Sequence, residues 1–177
     1  MRSPLDAAKV RALLRGLGRA ARGPGRIYLT GGTSAVLVGW RTSTVDADLK
    51  LDPEPDGVFE ALRDLKNELD MNVELAAPDD FIPPLPGWRE RSVYIDRFGE
   101  VDVFHYDFYA QALAKIERGH DRDLSDVRQM VERGLVEPAE LTRLFGELEP
   151  KLLRYPAIEP TVFRRKLEAL LRDLGNG

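Results

Sequence analysis

Two carboxylates one residue apart, Asp46 and Asp48, follow a glycine turn at Gly31 and Gly32 in this 177-residue chain. Residues 45–49 alternate between apolar and acidic, which predicts a strand with both aspartates on one face, about 6.5–7 Å apart. Carboxylates at that separation repel each other unless a cation lies between them. The spacing therefore favours one or two divalent metal ions, and we expect magnesium, which proteins bind through carboxylates together with substrate phosphates.

The glycine turn comes directly after an apolar run at 27–29. It is therefore predicted to leave a strand and to open a helix at 34–39, whose first amides lack partners within the helix. Glycine has no Cβ, so the backbone can approach the β and γ phosphates of a nucleoside triphosphate closely. The predicted phosphate contacts are the backbone of Gly31 and Gly32 and the hydroxyl of Thr33 or Ser34.

Each feature alone also has a plainer interpretation. Paired glycines often form only a tight turn, and an Asp-x-Asp sequence often lies on a solvated strand edge or caps a helix. Their order along the chain, with a short helix and a strand between glycines and acids, favours nucleotidyl or phosphoryl transfer assisted by metal.

A third carboxylate is expected on a neighbouring strand, either as a metal ligand or as the base for an attacking hydroxyl. Asp102 is the first choice, because apolar residues flank a single acid in 101–104. Glu74 has the same local pattern and is the alternative. For either residue, the plainer interpretation is a solvent-facing acid on a half-exposed strand.

The stretch from Gly31 to Leu49 resembles the signature of the polymerase-beta-like nucleotidyltransferase superfamily. A second block, Lys115 followed by Asp123 and Asp126, is similar to the lysine and Arg-Asp-x-x-Asp pattern of its abortive-infection branch. That branch consists of small prokaryotic nucleotidyltransferases and includes toxins. Together the two blocks and the residues between them cover 27 to about 135 of the chain.

The resemblance implies magnesium-dependent transfer of NMP from an NTP to a hydroxyl of RNA, protein or a small molecule. It also implies a toxin role, with transfer RNA ends as one acceptor and an antitoxin as a partner. Lys115 would balance charge on the transferring and leaving groups, or it is an ordinary surface lysine. One of Asp123 and Asp126 would contact Lys115, a metal or the base, and the other would cap a helix. The alternative function is a catalytically inactive nucleotide-binding or regulatory module of the same fold.

Composition limits the remaining possibilities. The chain has 26 basic and 30 acidic residues, a formal charge of -4 and no cysteine. Such a charge gives no overall attraction for nucleic acid, so any RNA contact needs a local patch. The arginine-rich residues 11–26 could form one, or they reflect a general arginine bias. The absence of cysteine excludes disulfides, thiolate zinc sites and thiol nucleophiles, and two histidines, His105 and His120, are too few for a histidine-built metal centre.

No signal-peptide pattern and no run of about 20 apolar residues occurs, so we expect a cytoplasmic protein without membrane spans. The element order predicts an α/β (α+β) fold: a mixed sheet in a nucleotidyltransferase-like core at 1–135, then a helical extension at 136–177. A first helix is expected to start at Ser3 and Pro4, with a proline-rich loop at 77–90 and a hairpin at 91–105. Further helices are predicted at 57–69, 109–118, 124–132, 138–148 and 161–174, and a short strand at 72–76.

Overall fold

The computed structural model describes residues 2–176 and contains a five-stranded mixed sheet. Its strands are β1 (Gly25–Thr30), β2 (Asp46–Leu51), β3 (Asn72–Glu74), β4 (Val93–Phe98) and β5 (Val101–His105). The order across the sheet is β3-β2-β1-β5-β4, with β1 antiparallel to β2 and parallel to β5. The expected α+β class, the mixed sheet and the hairpin formed by β4 and β5 are confirmed.

The described residues also form helices, which make up most of the C-terminal part of the chain. They are α1 (Ala7–Ala20), α2 (Gly31–Val38), α3 (Val58–Glu68), α4 (Trp88–Arg91), α5 (Phe108–Arg118), α6 (Asp121–Glu132), α7 (Pro138–Leu148) and α8 (Pro160–Gly175). Two 3-10 helices, Pro78–Asp80 and Glu149–Arg154, add to them. Within residues 2–176, no helix is both long and apolar enough to cross a membrane.

The described part of the chain forms two compact units. One unit consists of residues 2–77 and 92–106, and the other of 78–91 and 107–176. The second unit is discontinuous, because the proline-rich segment 78–91 belongs with the later helices. Within it, the Arg91 guanidinium donates two hydrogen bonds to Asp107 Oδ2, at 2.8 and 3.0 Å. Local patterns could not reveal this division, because it depends on contacts between distant parts of the chain.

The core of the first unit lies between one face of the sheet and the helices α1 and α3. Ala47 and Leu49 of β2 are fully buried there, together with Leu13 and Leu17 of α1. Successive side chains of a strand point to opposite faces, so Asp46 and Asp48 lie on the other face of the sheet. The same alternation thus anchors β2 in the core and presents its two acids away from it.

The start of α1 differs from the prediction. Asp6, not Ser3, is the N-cap, and its carboxylate accepts a hydrogen bond from the Lys9 amide at 2.8 Å. The preceding residue, Leu5, is fully buried and pairs with Thr44 through two backbone hydrogen bonds of 2.7 and 2.9 Å. Burial of Leu5 and this pairing therefore keep the first residues extended, which the capping pattern alone did not indicate.

An ion network joins α5 to α6 in the second unit. The Lys115 ammonium lies 2.8 Å from Asp126 Oδ2 and 3.7 Å from Asp123 Oδ1, and all three side chains are buried. Arg118 also binds Asp123, at 2.6 and 3.1 Å. Burial tends to raise the pKa of Asp123, but the hydrogen bond from Arg118 and the charges of Arg118 and Lys115 hold it below its usual value. The two positive charges of Lys115 and Arg118 thus balance the two negative charges of Asp123 and Asp126 between α5 and α6.

Removing one carboxylate from this network should destabilise the protein. We expect Asp126→Asn to lower the free energy of unfolding by about 3 kcal/mol, because a buried ammonium loses its closest counter-charge. The matched control is Arg143→Gln, which breaks the exposed pairs with Glu140 and Glu147 and should cost less than about 1 kcal/mol. Urea unfolding followed by circular dichroism measures both, and equal small losses would contradict a structural role for the network.

Candidate functional site

The two aspartates of β2 lie as the alternating pattern predicts. Both are half-buried on the face of β2 opposite the core, and Asp48 pairs with Thr30 at the end of β1. Thr30 is also the residue immediately before α2. The strand pairing therefore brings Asp48 to the point where β1 ends and α2 begins.

The carboxylate of Asp48 lies directly against the glycine turn. Gly31 has a φ of 58°, and a methyl group added there would lie 2.8 Å from Asp48 Oδ2. The Asp48 amide also donates a hydrogen bond to Thr33 Oγ1 at 3.0 Å. Both the side chain and the backbone of Asp48 are thus held at the first turn of α2, which begins at Gly31 rather than at the predicted Ser34.

A side chain at Gly32 would clash with a different part of the chain, the segment that precedes β2. A methyl group added to Gly32 would lie 2.1 Å from Thr44 Oγ1 and 3.3 Å from an Arg41 guanidinium nitrogen. Thr44 is in turn held by its backbone pairing with Leu5. The segment before β2 therefore packs over the turn, and it brings the cationic Arg41 to the start of α2.

The hydroxyls of Thr33 and Ser34 lie inside the first unit. Both side chains are fully buried, and the Ser34 hydroxyl donates to the Leu29 carbonyl at 3.1 Å. The Thr33 hydroxyl accepts a hydrogen bond from the Asp48 amide. In this structure both hydroxyls therefore fix α2 to the sheet, and their contact with phosphate stays a prediction.

His105 also helps to fix α2 to the sheet. Its Nδ1 lies 2.9 Å from the Ser34 hydroxyl, and burial lowers the pKa of the imidazole to about 4. The ring is therefore neutral at pH 7 and joins β5 to α2 without adding charge near the carboxylates.

Strand register separates the two candidates for a third carboxylate. Asp102 pairs with Arg26, four residues before Thr30 on β1, so it lies about 13 Å along the sheet from the level of Asp48. Glu74 pairs directly with Asp48 across β2 and β3, and register partners share a face. The structure therefore does not bring Asp102 to the pair, and the alternative, Glu74, is its neighbour.

A preformed three-carboxylate metal site is not present in the part of the chain that the structure describes. No group of three or more His, Cys, Asp or Glu side chains within 2–176 is close enough to hold a metal ion. Glu74 is exposed, so its side chain is adjacent to the pair without joining it. Of the predicted metal set, Asp46 and Asp48 share one face of β2, and Asp102 lies further along the sheet.

The Lys115 block lies in the second unit. Its ammonium contacts Asp126 and Asp123, so the expectation that one of these acids contacts Lys115 agrees with the geometry. The expected helix cap is not formed by either acid, because His120 is the N-cap of α6 and Asp123 lies within the first turn of that helix. Carboxylates on both sides of the ammonium give it a structural role within this unit.

Comparison with known proteins identifies the family. A family model described as a nucleotidyltransferase of unknown function (DUF6036) matches residues 19–154, more than half of the chain. No curated protein and no solved structure matches the chain. The matched range includes the glycine turn, Asp46 and Asp48. The chain therefore belongs to this family of nucleotidyltransferases of unknown function.

Proposed function

We propose that the protein transfers NMP from an NTP to an acceptor hydroxyl in a magnesium-dependent reaction. The observation that carries this proposal is the contact between the Asp48 carboxylate and Gly31 at the start of α2. A phosphate held by the first amides of α2 would lie beside a carboxylate, and such an arrangement is repulsive unless a cation is shared between them.

The residues fit a magnesium ion that arrives with its nucleotide. Mg²⁺ is commonly held by one or two carboxylates, with substrate phosphates and water as the remaining ligands. Asp46 and Asp48 supply two carboxylates on one face of β2, which agrees with the absence of a larger acidic cluster among residues 2–176. When bound, the ion supplies positive charge that neutralises the phosphates of the substrate.

The chain's own groups have three tasks in this reaction. The backbone of Gly31 and Gly32 holds the triphosphate, and Arg41, which lies at the same turn, adds positive charge. The acceptor oxygen forms a bond to the α phosphorus while the bond from that phosphorus to the departing pyrophosphate breaks. Glu74, the strand neighbour of Asp48, accepts the proton of the acceptor hydroxyl.

The acceptor and the biological role follow from resemblance and remain proposals. RNA, protein and small molecules all present suitable hydroxyls, and the abortive-infection branch favours a toxin that acts on transfer RNA and is neutralised by an antitoxin. A catalytically inactive nucleotide-binding module is the second candidate.

Neutralising either acid of the pair should abolish transfer. We expect Asp46→Asn and Asp48→Asn each to lower NMP transfer by at least about a hundredfold, because each removes a negative charge from the metal-binding face. The assay incubates the protein with magnesium, a labelled NTP and total RNA, cell extract or small hydroxylated acceptors, and measures covalently attached label. Full transfer by both variants would disprove the site. Magnesium-dependent NTP binding without transfer to any acceptor would support the inactive module.

The proposed base can be tested against Asp102, the other candidate. Glu74→Gln should lower transfer by about a hundredfold with little change in NTP binding, because only proton removal is lost. Asp102→Asn removes the same charge from the same sheet, about 13 Å away along β1, and should leave transfer unchanged. The reverse result would restore Asp102 as the third carboxylate.

The role of Gly31 in nucleotide binding can be tested against Gly39, a second glycine with positive φ. Gly31 and Gly39 both have positive φ, but a methyl group contacts Asp48 only at Gly31 and meets nothing within 4 Å at Gly39. Replacing either by alanine should cost about 1–2 kcal/mol of stability. Only Gly31→Ala should weaken magnesium-dependent NTP binding, measured by fluorescence titration. Equal binding by the two variants would show that the contact has no part in nucleotide binding.

A further inference from the structure

Three exposed arginines form a row along α1. Arg11, Arg15 and Arg19 are spaced four residues apart and are all exposed, so they lie on successive turns of one helix face. The rise of an α-helix places their Cα atoms about 6 Å apart, and the row extends over about 12 Å. We call these three residues the arginine ridge.

The ridge arginines form no ion pairs. No carboxylate of residues 2–176 lies within ion-pairing distance of them, and α1 itself contains no acidic residue. By contrast, Arg22, Arg118 and Arg143 each lie within 3.1 Å of a carboxylate oxygen. Three adjacent positive charges that form no ion pair attract anions, even though the chain as a whole carries a charge of -4.

The ridge lies on the side of α1 that faces away from the sheet. The opposite side of α1 buries Val10, Leu13, Leu14 and Leu17 in the core against the sheet. Asp46 and Asp48 lie on the other face of that sheet, so at least one helix diameter, about 10 Å, separates them from the ridge. A single nucleotide at the carboxylates cannot also contact the ridge, whereas an extended polyanion can.

We propose that the arginine ridge binds the phosphodiester backbone of a nucleic acid that is the acceptor in the proposed reaction. Guanidinium groups bind phosphate oxygens in a bidentate manner, and their regular spacing fits a polymer of phosphates rather than one compact anion. None of the exposed large apolar side chains among residues 2–176 belongs to α1. The buried cores of protein interfaces and amphipathic membrane-binding helices add apolar contact to charge, and the ridge supplies only charge.

The inference concerns the acceptor and thus rests on the proposed function, but binding can be measured without turnover. We compare the wild-type protein with an Arg11→Gln/Arg15→Gln/Arg19→Gln variant, using fluorescence anisotropy of labelled oligouridylate and of single-stranded DNA at several salt concentrations. The variant should bind roughly tenfold or more weakly at low salt. The slope of log K against log salt should become shallower by about 2, which is 0.7 for each lost phosphate contact.

Two controls separate a specific ridge from a general effect of charge. Arg128→Gln/Arg143→Gln/Arg164→Gln removes the same charge from arginines that have carboxylate partners, and it should retain wild-type binding. Replacing the three ridge arginines by lysine keeps the charge and should retain most of the affinity. Glutamine and lysine both favour helix, and the ridge side chains are exposed, so all these variants should fold.

The outcomes distinguish this inference from the proposed function. Loss of RNA or DNA binding in the ridge variant alone supports the ridge, and the tighter of the two nucleic acids identifies the acceptor class. Equal loss in the paired-arginine control overturns it, as does unchanged binding or the absence of nucleic-acid binding by the wild type. Binding to anionic vesicles or an acidic peptide without nucleic-acid binding also overturns it. If the ridge binds RNA but no NMP is transferred, the proposed function fails and the binding surface stands.

Discussion

The packing of the Asp48 carboxylate against Gly31 is the constraint on which the candidate site depends. A left-handed φ and the lack of a Cβ are both needed at Gly31, since a side chain would meet Asp48 Oδ2 at 2.8 Å. The hydrogen bond from the Asp48 amide to Thr33 fixes the same residue from its backbone. The start of α2 is therefore fixed to the middle of β2, and a change in either one moves the Asp48 carboxylate relative to the first amides of α2.

Strand β2 contributes buried residues to the core and also carries the two acids of the candidate site. Ala47 and Leu49 are completely buried in the core of the first unit, while Asp46 and Asp48 alternate with them on the opposite face. Burying two apolar side chains contributes a few kcal/mol, and this holds the acids at a fixed height in the sheet. A shift of register by one residue would bury both carboxylates, so the fold and the site are lost together.

Local patterns in the sequence could predict the elements of the site but not all of its members. The alternation around Asp46 and Asp48 and the turn at Gly31 depend on residues that are adjacent in the sequence, and the structure contains both. The choice between Glu74 and Asp102 depends on which residues pair across strands, and the two acids have the same local pattern. Register comes from the whole sheet, so only the structure shows that Glu74 is the one of the two that lies beside Asp48. The buried hydroxyl of Ser34 likewise depends on packing against β5.

Charge in this protein acts locally rather than through its total. The charges of the Lys115 network balance one another within a pair of helices. Charges separated by more than about 8–10 Å are largely screened at physiological ionic strength. The Cα atoms of neighbouring ridge arginines are about 6 Å apart and their side chains form no ion pairs, so their charges act together. A net charge of -4 is thus compatible both with the proposed binding of an anionic substrate beside Asp46 and Asp48 and with the proposed binding of a polyanion on the far side of α1.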